Sequence, residues 1–165
     1  MNNQIILKQI RLLIILFVTL LALSGITAFP IETELRFLIH NKNIFPESFA
    51  NWLQTVTDAV KDTNYRYPFL SYGTDWLAFA HICIAIAFYG AYKNPVLNKW
   101  IVQWAMICCV LVLPLAFIAG DIRGIPFFHQ LIDCSFGIFG FMLLYFLFRK
   151  ILLLEKLNSK NQSIL

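Results

Sequence analysis

The stretch Asp121-Ile-Arg-Gly-Ile-Pro-Phe-Phe-His-Gln-Leu-Ile-Asp-Cys-Ser-Phe-Gly-Ile-Phe-Gly140 decides how this chain folds. It places five ionisable side chains and three glycines in the turn that follows the apolar run at 100–120 and in the first half of the apolar run at 131–148. Each run is long enough for a helix that crosses a hydrocarbon core of about 30 Å. Two such runs joined by a short polar turn predict a pair of antiparallel membrane helices, with the turn at one surface of the membrane.

The composition indicates the same class of protein. Apolar residues make up 59% of the chain and charged residues 13%, whereas a soluble domain has about half apolar and about a quarter charged residues. The formal net charge of +4 comes from basic residues in short clusters beside apolar runs, a placement that membrane insertion favours. We therefore expect contact with a lipid bilayer and no nucleic-acid partner.

The first apolar run, residues 12–29, carries no charge. At about 1.5 Å per residue it is long enough to cross the hydrocarbon core, so a membrane helix is expected. A second interpretation stays open, because residues 12–23 have the length of a signal-peptide core and residues 22–24 fit a small-x-small cleavage site. In that case residues 1–24 would be removed and three spans would remain.

A polar segment, residues 31–74, lies between the first run and the next one at 76–92. After Pro46, apolar residues recur in it at steps of three and four, which predicts an amphipathic helix. The expected fold class is therefore all-α: a polytopic membrane four-helix bundle of one domain, with a small helical extramembrane insertion between the first and second spans. The apolar positions of the amphipathic helix are Phe49, Trp52, Leu53, Val56 and Val60.

The apolar run at 131–148 contains two glycines that bear on its packing, and two basic residues follow its end. Gly137 and Gly140 lie on one helical face, so another helix backbone is expected to approach there. Arg149 and Lys150 are expected to close the span. Residues 151–165 would then form a short separate helix in the membrane interface.

The orientation follows from the Lys and Arg residues near the spans. With four spans, eight basic residues fall on one side and five on the other, and the eight lie in shorter segments. Both termini are therefore expected in the cytoplasm, and the expected location is a bacterial inner (plasma) membrane. The eight are Lys8, Arg11, Lys93, Lys99, Arg149, Lys150, Lys156 and Lys160.

Ionisable residues from distant parts of the chain are expected to converge at the outer rim of the bundle. His81 and Asp133 lie inside apolar runs, where a charge costs at least about 2.5 kcal/mol unless it is paired or hydrated. Such residues are candidates for a functional site. The candidate catalytic residues are His81, Asp75 and Asp133. The candidate ligand-binding residues are Arg123, His129, Asp121 and Trp76.

These candidates also have structural interpretations. Arg123 could form a salt bridge with Asp121 or Asp133 that locks the bundle, and His81 could be a neutral imidazole hydrogen-bonded to a neighbouring helix. The histidines and aspartates lack a compact ligand motif, so no metal site is predicted. No motif in the sequence identifies a cofactor.

Two functions of different classes fit this pattern. The first is a non-enzymatic membrane protein that binds a lipid, a small hydrophobic molecule, a partner membrane protein or a second copy of itself at the outer polar pocket. The second is an integral membrane enzyme in which His81 acts as base or ligand, Asp75 or Asp133 orients it, and Arg123 holds an anionic group. A transporter fits less well, because the inner half of the spans offers Gln103 and little else that is polar.

Overall fold

The computed structural model describes residues 3–162, with side chains described as far as residue 160. Every regular element in this range is helical, which confirms the predicted all-α class. Short 3-10 helices occupy Lys42–Ile44 and Pro68–Ser71. The α-helices are α1 (Asn3–Ala28), α2 (Ile31–His40), α3 (Glu47–Arg66), α4 (Tyr72–Ala87), α5 (Tyr89–Lys93), α6 (Lys99–Ile122) and α7 (Phe127–Gln162).

Four helical segments of the described range are long and apolar enough to cross a membrane. Their number matches the sequence prediction, and each overlaps one of the predicted spans. The second is built from a 3-10 helix, α4 and α5 rather than from one uninterrupted helix. The four segments are Asn3–Ala28, Pro68–Lys93, Lys99–Ile122 and Phe127–Lys160.

The chain divides into two compact units, which are described separately. The α6–α7 unit comprises the residues up to Thr19 together with those from Ile86 onward. The α2–α3 unit comprises Leu20–Ala85. Helices α1 and α4 each contribute to both units. The packing of all four spans as one bundle stays a prediction.

In the α6–α7 unit, the two long helices approach each other where glycines leave room. A Cβ atom at position 137 would lie 2.7 Å from the Cys109 carbonyl oxygen, and one at position 140 would lie 3.1 Å from the Cys109 Sγ. Real side chains do not fit at the first of these distances. The predicted close backbone approach is therefore confirmed at Gly137, whereas Gly140 makes room for the Cys109 side chain.

The predicted break after Lys150 is wrong, because α7 continues to Gln162. Its buried residues recur at steps of three and four on both sides of the two basic residues, so one apolar stripe carries the helix onward. Lys99 Nζ lies 2.6 Å from Glu155 Oε1 and ties this extension to the start of α6. The last three residues of the predicted tail lie outside the described range. The buried stripe is Leu144, Leu147, Ile151 and Leu154.

The first turns of α1 meet the same extension of α7. Asn3 Nδ2 donates to Asn158 Oδ1 at 3.1 Å, and Lys150 Nζ donates to Gln9 Oε1 at 2.8 Å. These pairs run in opposite order along the two helices, so α1 and α7 are antiparallel here. An apolar stripe of α1 on one face is fully buried. It consists of Ile6, Ile10 and Ile14.

The α2–α3 unit has a few buried apolar side chains and a polar network between its helices. Leu35 of α2 and Leu53 of α3 are buried, which confirms an amphipathic α3. Asn64 Nδ2 donates to Glu32 Oε2 at 3.1 Å, and Ser71 Oγ donates to Asn64 Oδ1. The hydrogen bond from Asn64 is the main reason that the pKa of Glu32 is lowered from its usual value of 4.5.

Candidate functional site

The turn between α6 and α7 is fixed by the backbone. The Ile125 N–H donates to the Gly120 carbonyl at 2.9 Å, and the Gly124 N–H donates to the Asp121 carbonyl at 3.2 Å. This pair of hydrogen bonds is a Schellman motif, which requires a left-handed residue after the helix. Gly124 supplies it with φ of 66°, a value that side-chain-bearing residues rarely adopt. Pro126 lies two residues after Gly124, and its carbonyl accepts the first hydrogen bonds of α7.

The side chain of Gln130 stabilises this turn. Its side chain is buried, and its Nε2 donates to Asp121 Oδ1 at 3.0 Å and to the Ile125 carbonyl at 2.9 Å. Space for it exists because residue 120 is glycine: a Cβ there would lie 2.7 Å from the Gln130 Cδ. The Gln130 Oε1 is buried and has no hydrogen-bond partner among the described residues. One carboxylate oxygen of Asp121 therefore accepts a hydrogen bond that stabilises the turn.

Arg123 and His129 are the next ionisable side chains near this turn. Arg123 is exposed, and no carboxylate of residues 3–160 lies within 4.0 Å of it, so the salt bridge that would lock the bundle is not formed. His129 Nε2 lies 3.9 Å from Asp133 Oδ1, with both side chains partly exposed. That distance is too long for a hydrogen bond, although the two groups share one helical face as predicted.

His81 lies in α4, within the α2–α3 unit. Its Nδ1 lies 2.8 Å from the carbonyl oxygen of Leu77. Because a carbonyl can only accept, Nδ1 carries the proton and the lone pair of the neutral ring is on Nε2. A backbone carbonyl of the same helix thus orients the ring, which is the role that the enzyme hypothesis gave to a carboxylate. A Cβ at Gly25 would lie 2.9 Å from the His81 Cβ, so α1 passes close to the base of this side chain.

Asp75 and Trp76 lie at the start of the same helix. Trp76 is exposed and makes edge-to-face contacts with Tyr72, at 5.9 Å between ring centroids, and with Phe79, at 6.0 Å. Such an exposed row of aromatic rings at one end of an apolar helix is typical of the membrane–water interface.

The candidate residues are divided between the two units. Asp75, Trp76 and His81 belong to the α2–α3 unit, and the other four candidates belong to the α6–α7 unit. Their convergence at one rim therefore stays a prediction. Within the range that the structure describes, no group of three or more His, Cys, Asp or Glu residues is placed to hold a metal ion.

The α6–α7 unit also contains an open groove of about 400 Å³. That volume is in the range of small-molecule sites, which is about 300–1,000 Å³. Both walls belong to candidate membrane spans, and all lining residues but one are apolar or aromatic. The exception is Gln103, whose side-chain amide has no hydrogen-bond partner in the described part of the chain. The groove is lined by Gln103, Met106, Ile107, Val110, Leu111, Phe141 and Phe148.

The groove and the polar turn are the features from which a function can be argued. No family model, curated protein or solved structure matches this chain. Sequence reasoning missed Gln130 and gave no role to Gln103. The sequence signal for Gln130 was its position ten residues after Gly120, across a turn that contains Gly124 and Pro126.

Proposed function

We propose that this chain is a non-enzymatic multi-pass membrane protein that binds a lipid through the groove between α6 and α7. The observation that carries the proposal is the groove itself, which has a volume of about 400 Å³, an apolar lining and one unpaired amide. Its walls lie in two segments that are long and apolar enough to cross a membrane. At that depth the surrounding solvent is hydrocarbon, so a lipid acyl chain is the occupant of matching chemistry.

The lining supports a flexible chain as the occupant. Phe141 and Phe148 offer ring faces on one wall, and Met106 offers an adaptable thioether on the other. An amide at membrane depth without a partner is unfavourable, because an unmade hydrogen bond in an apolar medium costs about 1–3 kcal/mol. The ester carbonyl of a lipid is an acceptor that the Gln103 amide can use.

The proposal includes the location of the groove in the membrane. The end of the unit near Gln103 carries Lys93, Lys99, Arg149 and Lys150. By the positive-inside rule this end faces the cytoplasm, both termini are cytoplasmic, and the groove lies in the inner leaflet of a bacterial inner membrane. The polar turn at Asp121 then lies at the outer surface.

An enzyme remains the alternative, and one observation favours it. The Nε2 of His81 carries the lone pair of the neutral ring and has no hydrogen-bond partner among the described residues. Such a nitrogen is competent to accept a proton or to bind a ligand. The alternative needs a substrate group at that nitrogen, whereas the lipid proposal needs only the groove.

A groove-filling variant tests the proposal. Ile107 lines the groove and is 59% exposed, whereas Ile118 lies further along α6, is 63% exposed and does not line it. The purified protein is equilibrated with synthetic phosphatidylcholine, and bound lipid is counted by native mass spectrometry. We expect Ile107→Trp to lose the retained lipid and Ile118→Trp to keep it.

Two outcomes would contradict the proposal. The first is equal lipid retention by the wild type and Ile107→Trp. The second is a wild-type dimer that Ile107→Trp dissociates, because a second copy of the chain would then be the occupant of the groove. A complex with a different co-purifying protein, lost in the same variant, would assign the groove to that partner.

A further inference from the structure

We propose that the lipid held by the α6–α7 groove is an anionic phospholipid, and that Arg149 binds its phosphate. This inference rests on the proposed function and names the head group that the groove would select. It is carried by three observations: an arginine without a carboxylate partner, its connection to the groove wall, and the charge of the surrounding surface.

Arg149 has a cationic group that the described protein does not neutralise. Its side chain is exposed, and its Nη1 donates to the Tyr145 hydroxyl at 3.2 Å. Its Cζ lies 6.0 Å from the centroid of the same ring. No carboxylate of residues 3–160 lies within 4.0 Å of it. The guanidinium therefore keeps most of its planar donors for a ligand, and this fork matches a phosphate group.

A row of side chains connects Arg149 to the groove. The ring of Tyr145 stacks on the ring of Phe141, with 6.3 Å between centroids, and Phe141 lines the groove. Phe148, which also lines the groove, directly precedes Arg149 in α7. A lipid with its chain in the groove would thus bring its polar end to the guanidinium.

Gln103 and Arg149 lie at a similar depth, as the ester and phosphate of one glycerophospholipid require. The Lys99–Glu155 ion pair fixes the register of the antiparallel helices, and Gln103 lies one turn further along α6. Arg149 lies between one and two turns before Glu155 in α7 and is therefore close to the level of Gln103. The polar end of one lipid, with its ester and phosphate, would then meet Gln103 and Arg149 at about the same depth, while its hydrocarbon chain meets the apolar lining.

The surface around Arg149 is rich in cations, and few acidic side chains there compete with a lipid phosphate for the guanidinium. Glu155 is the one acidic residue in 1–19, 86–120 and 134–165, and it is already engaged by Lys99. Lys150 donates to the neutral amide of Gln9, which leaves its charge uncompensated. An excess of cations at the end of a membrane helix pair favours anionic lipids.

The test compares two lipids that differ in their head group alone. Phosphatidylglycerol and phosphatidylcholine with identical acyl chains compete for the purified protein, and native mass spectrometry gives the ratio of bound species. We expect the wild type to prefer phosphatidylglycerol about fivefold, the ratio that corresponds to about 1 kcal/mol. In Arg149→Gln the ratio should fall to about one, while phosphatidylcholine is still retained and so shows that the groove is intact.

Two further variants separate a specific site from general charge. Lys156→Gln removes the same charge from an exposed position of α7 that has no contact with the groove, and it should keep the preference. Arg149→Lys keeps the charge and loses the planar fork, so it should retain part of the preference. A wild type without preference, or a Lys156→Gln variant that loses as much as Arg149→Gln, would overturn the inference.

These outcomes are distinct from failure of the proposed function. If both lipids are retained equally and Ile107→Trp loses both, the groove binds lipid and the head-group assignment alone is wrong. If Ile107→Trp retains both lipids, the groove is not the binding site and both proposals fail.

Discussion

The α6–α7 and α2–α3 hairpins are both pairs of helices, and they are held together by different contacts. In the α6–α7 hairpin the helices meet where side chains are missing, with Gly137 against the backbone of Cys109. In the α2–α3 hairpin they are joined by polar side chains, with Asn64 bonded to Glu32. One hairpin lies within candidate membrane spans and the other lies outside them.

This difference is the one expected if the α6–α7 hairpin crosses a membrane and the α2–α3 hairpin lies in water. In hydrocarbon, burying an apolar side chain gains little, because lipid tails are as apolar as leucine, and close van der Waals packing becomes the main attraction. In water, burial of Leu35 and Leu53 is favourable in itself, and a partly exposed polar network adds to it. The α6–α7 hairpin should therefore be sensitive to added volume, and the α2–α3 hairpin to charge and pH.

The largest effect is expected from Gly137→Ala. The added Cβ would lie 2.7 Å from the Cys109 carbonyl oxygen, and a backbone atom inside a helix cannot move aside without shifting α6. Overpacking of this kind costs about 1–3 kcal/mol, and the backbone contact places this variant near 3 kcal/mol. Unfolding in mixed micelles, followed by circular dichroism, measures the loss of free energy.

Gly73→Ala is the matched control for that substitution. Gly73 is also helical, and a Cβ there would meet nothing within 4 Å. It should leave the free energy of unfolding unchanged or raise it slightly, since alanine favours helices by up to about 1 kcal/mol. Equal losses in the two variants would show that the close approach of α6 and α7 does not stabilise the hairpin.

A smaller effect is expected from Gly120→Ala. Its Cβ would meet the side chain of Gln130, which can move, but only by giving up hydrogen bonds to Asp121 and Ile125. We expect a loss of about 1–2 kcal/mol. Because both residues act through one contact, the double variant Gly120→Ala/Gln130→Ala should cost less than the sum of the single variants. Strict additivity would contradict the role given to Gln130.

The smallest effect is a pH dependence of the α2–α3 hairpin. The pKa of Glu32 is lowered in the folded state, chiefly by the Asn64 hydrogen bond and also by Arg36. Its stabilising contribution is therefore complete above the unfolded value of 4.5 and is lost as the pH falls through the folded pKa. Hydrogen exchange of α2 and α3 peptides, corrected for intrinsic rates, should show protection decreasing below about pH 4.5.

Asn64→Ala should weaken that pH dependence. The control is Gln54→Ala, which removes an amide that donates to Asp58 within α3 and so does not join the two helices. The interpretation fails if Asn64→Ala and the wild type lose protection over the same pH range.

Much of this fold can be predicted from local patterns. Apolar runs of sufficient length gave the number of candidate spans, and the spacing of Gly137 and Gly140 gave the close approach of α6 and α7. Both depend on residues a few positions apart in one helix, which sequence displays directly. The same reasoning placed a break after Lys150, because two basic residues resemble the end of a span. The apolar stripe through Leu147 and Ile151 instead carries α7 onward.

The candidate sites were harder to predict because they depend on pairs of helices. Gln130 is buried only because residue 120 lacks a side chain, and its partner carbonyl exists only in the Schellman turn. The groove is a space left between α6 and α7, and its volume depends on side-chain shapes that periodicity does not describe. The convergence of His81 with the Asp121 turn remains a prediction.

Photochemical cross-linking from the lipid side tests the central claim most directly. A phospholipid with a diazirine in its acyl chain is incorporated into vesicles together with the protein, and the vesicles are irradiated. The positions of the lipid adducts in the protein are then located by peptide mass spectrometry. The proposal predicts adducts concentrated in 103–111 and 141–148, with few in 115–122, a stretch of α6 that also presents exposed apolar side chains but does not line the groove. Adducts spread evenly along α6, or concentrated in 115–122, would contradict it.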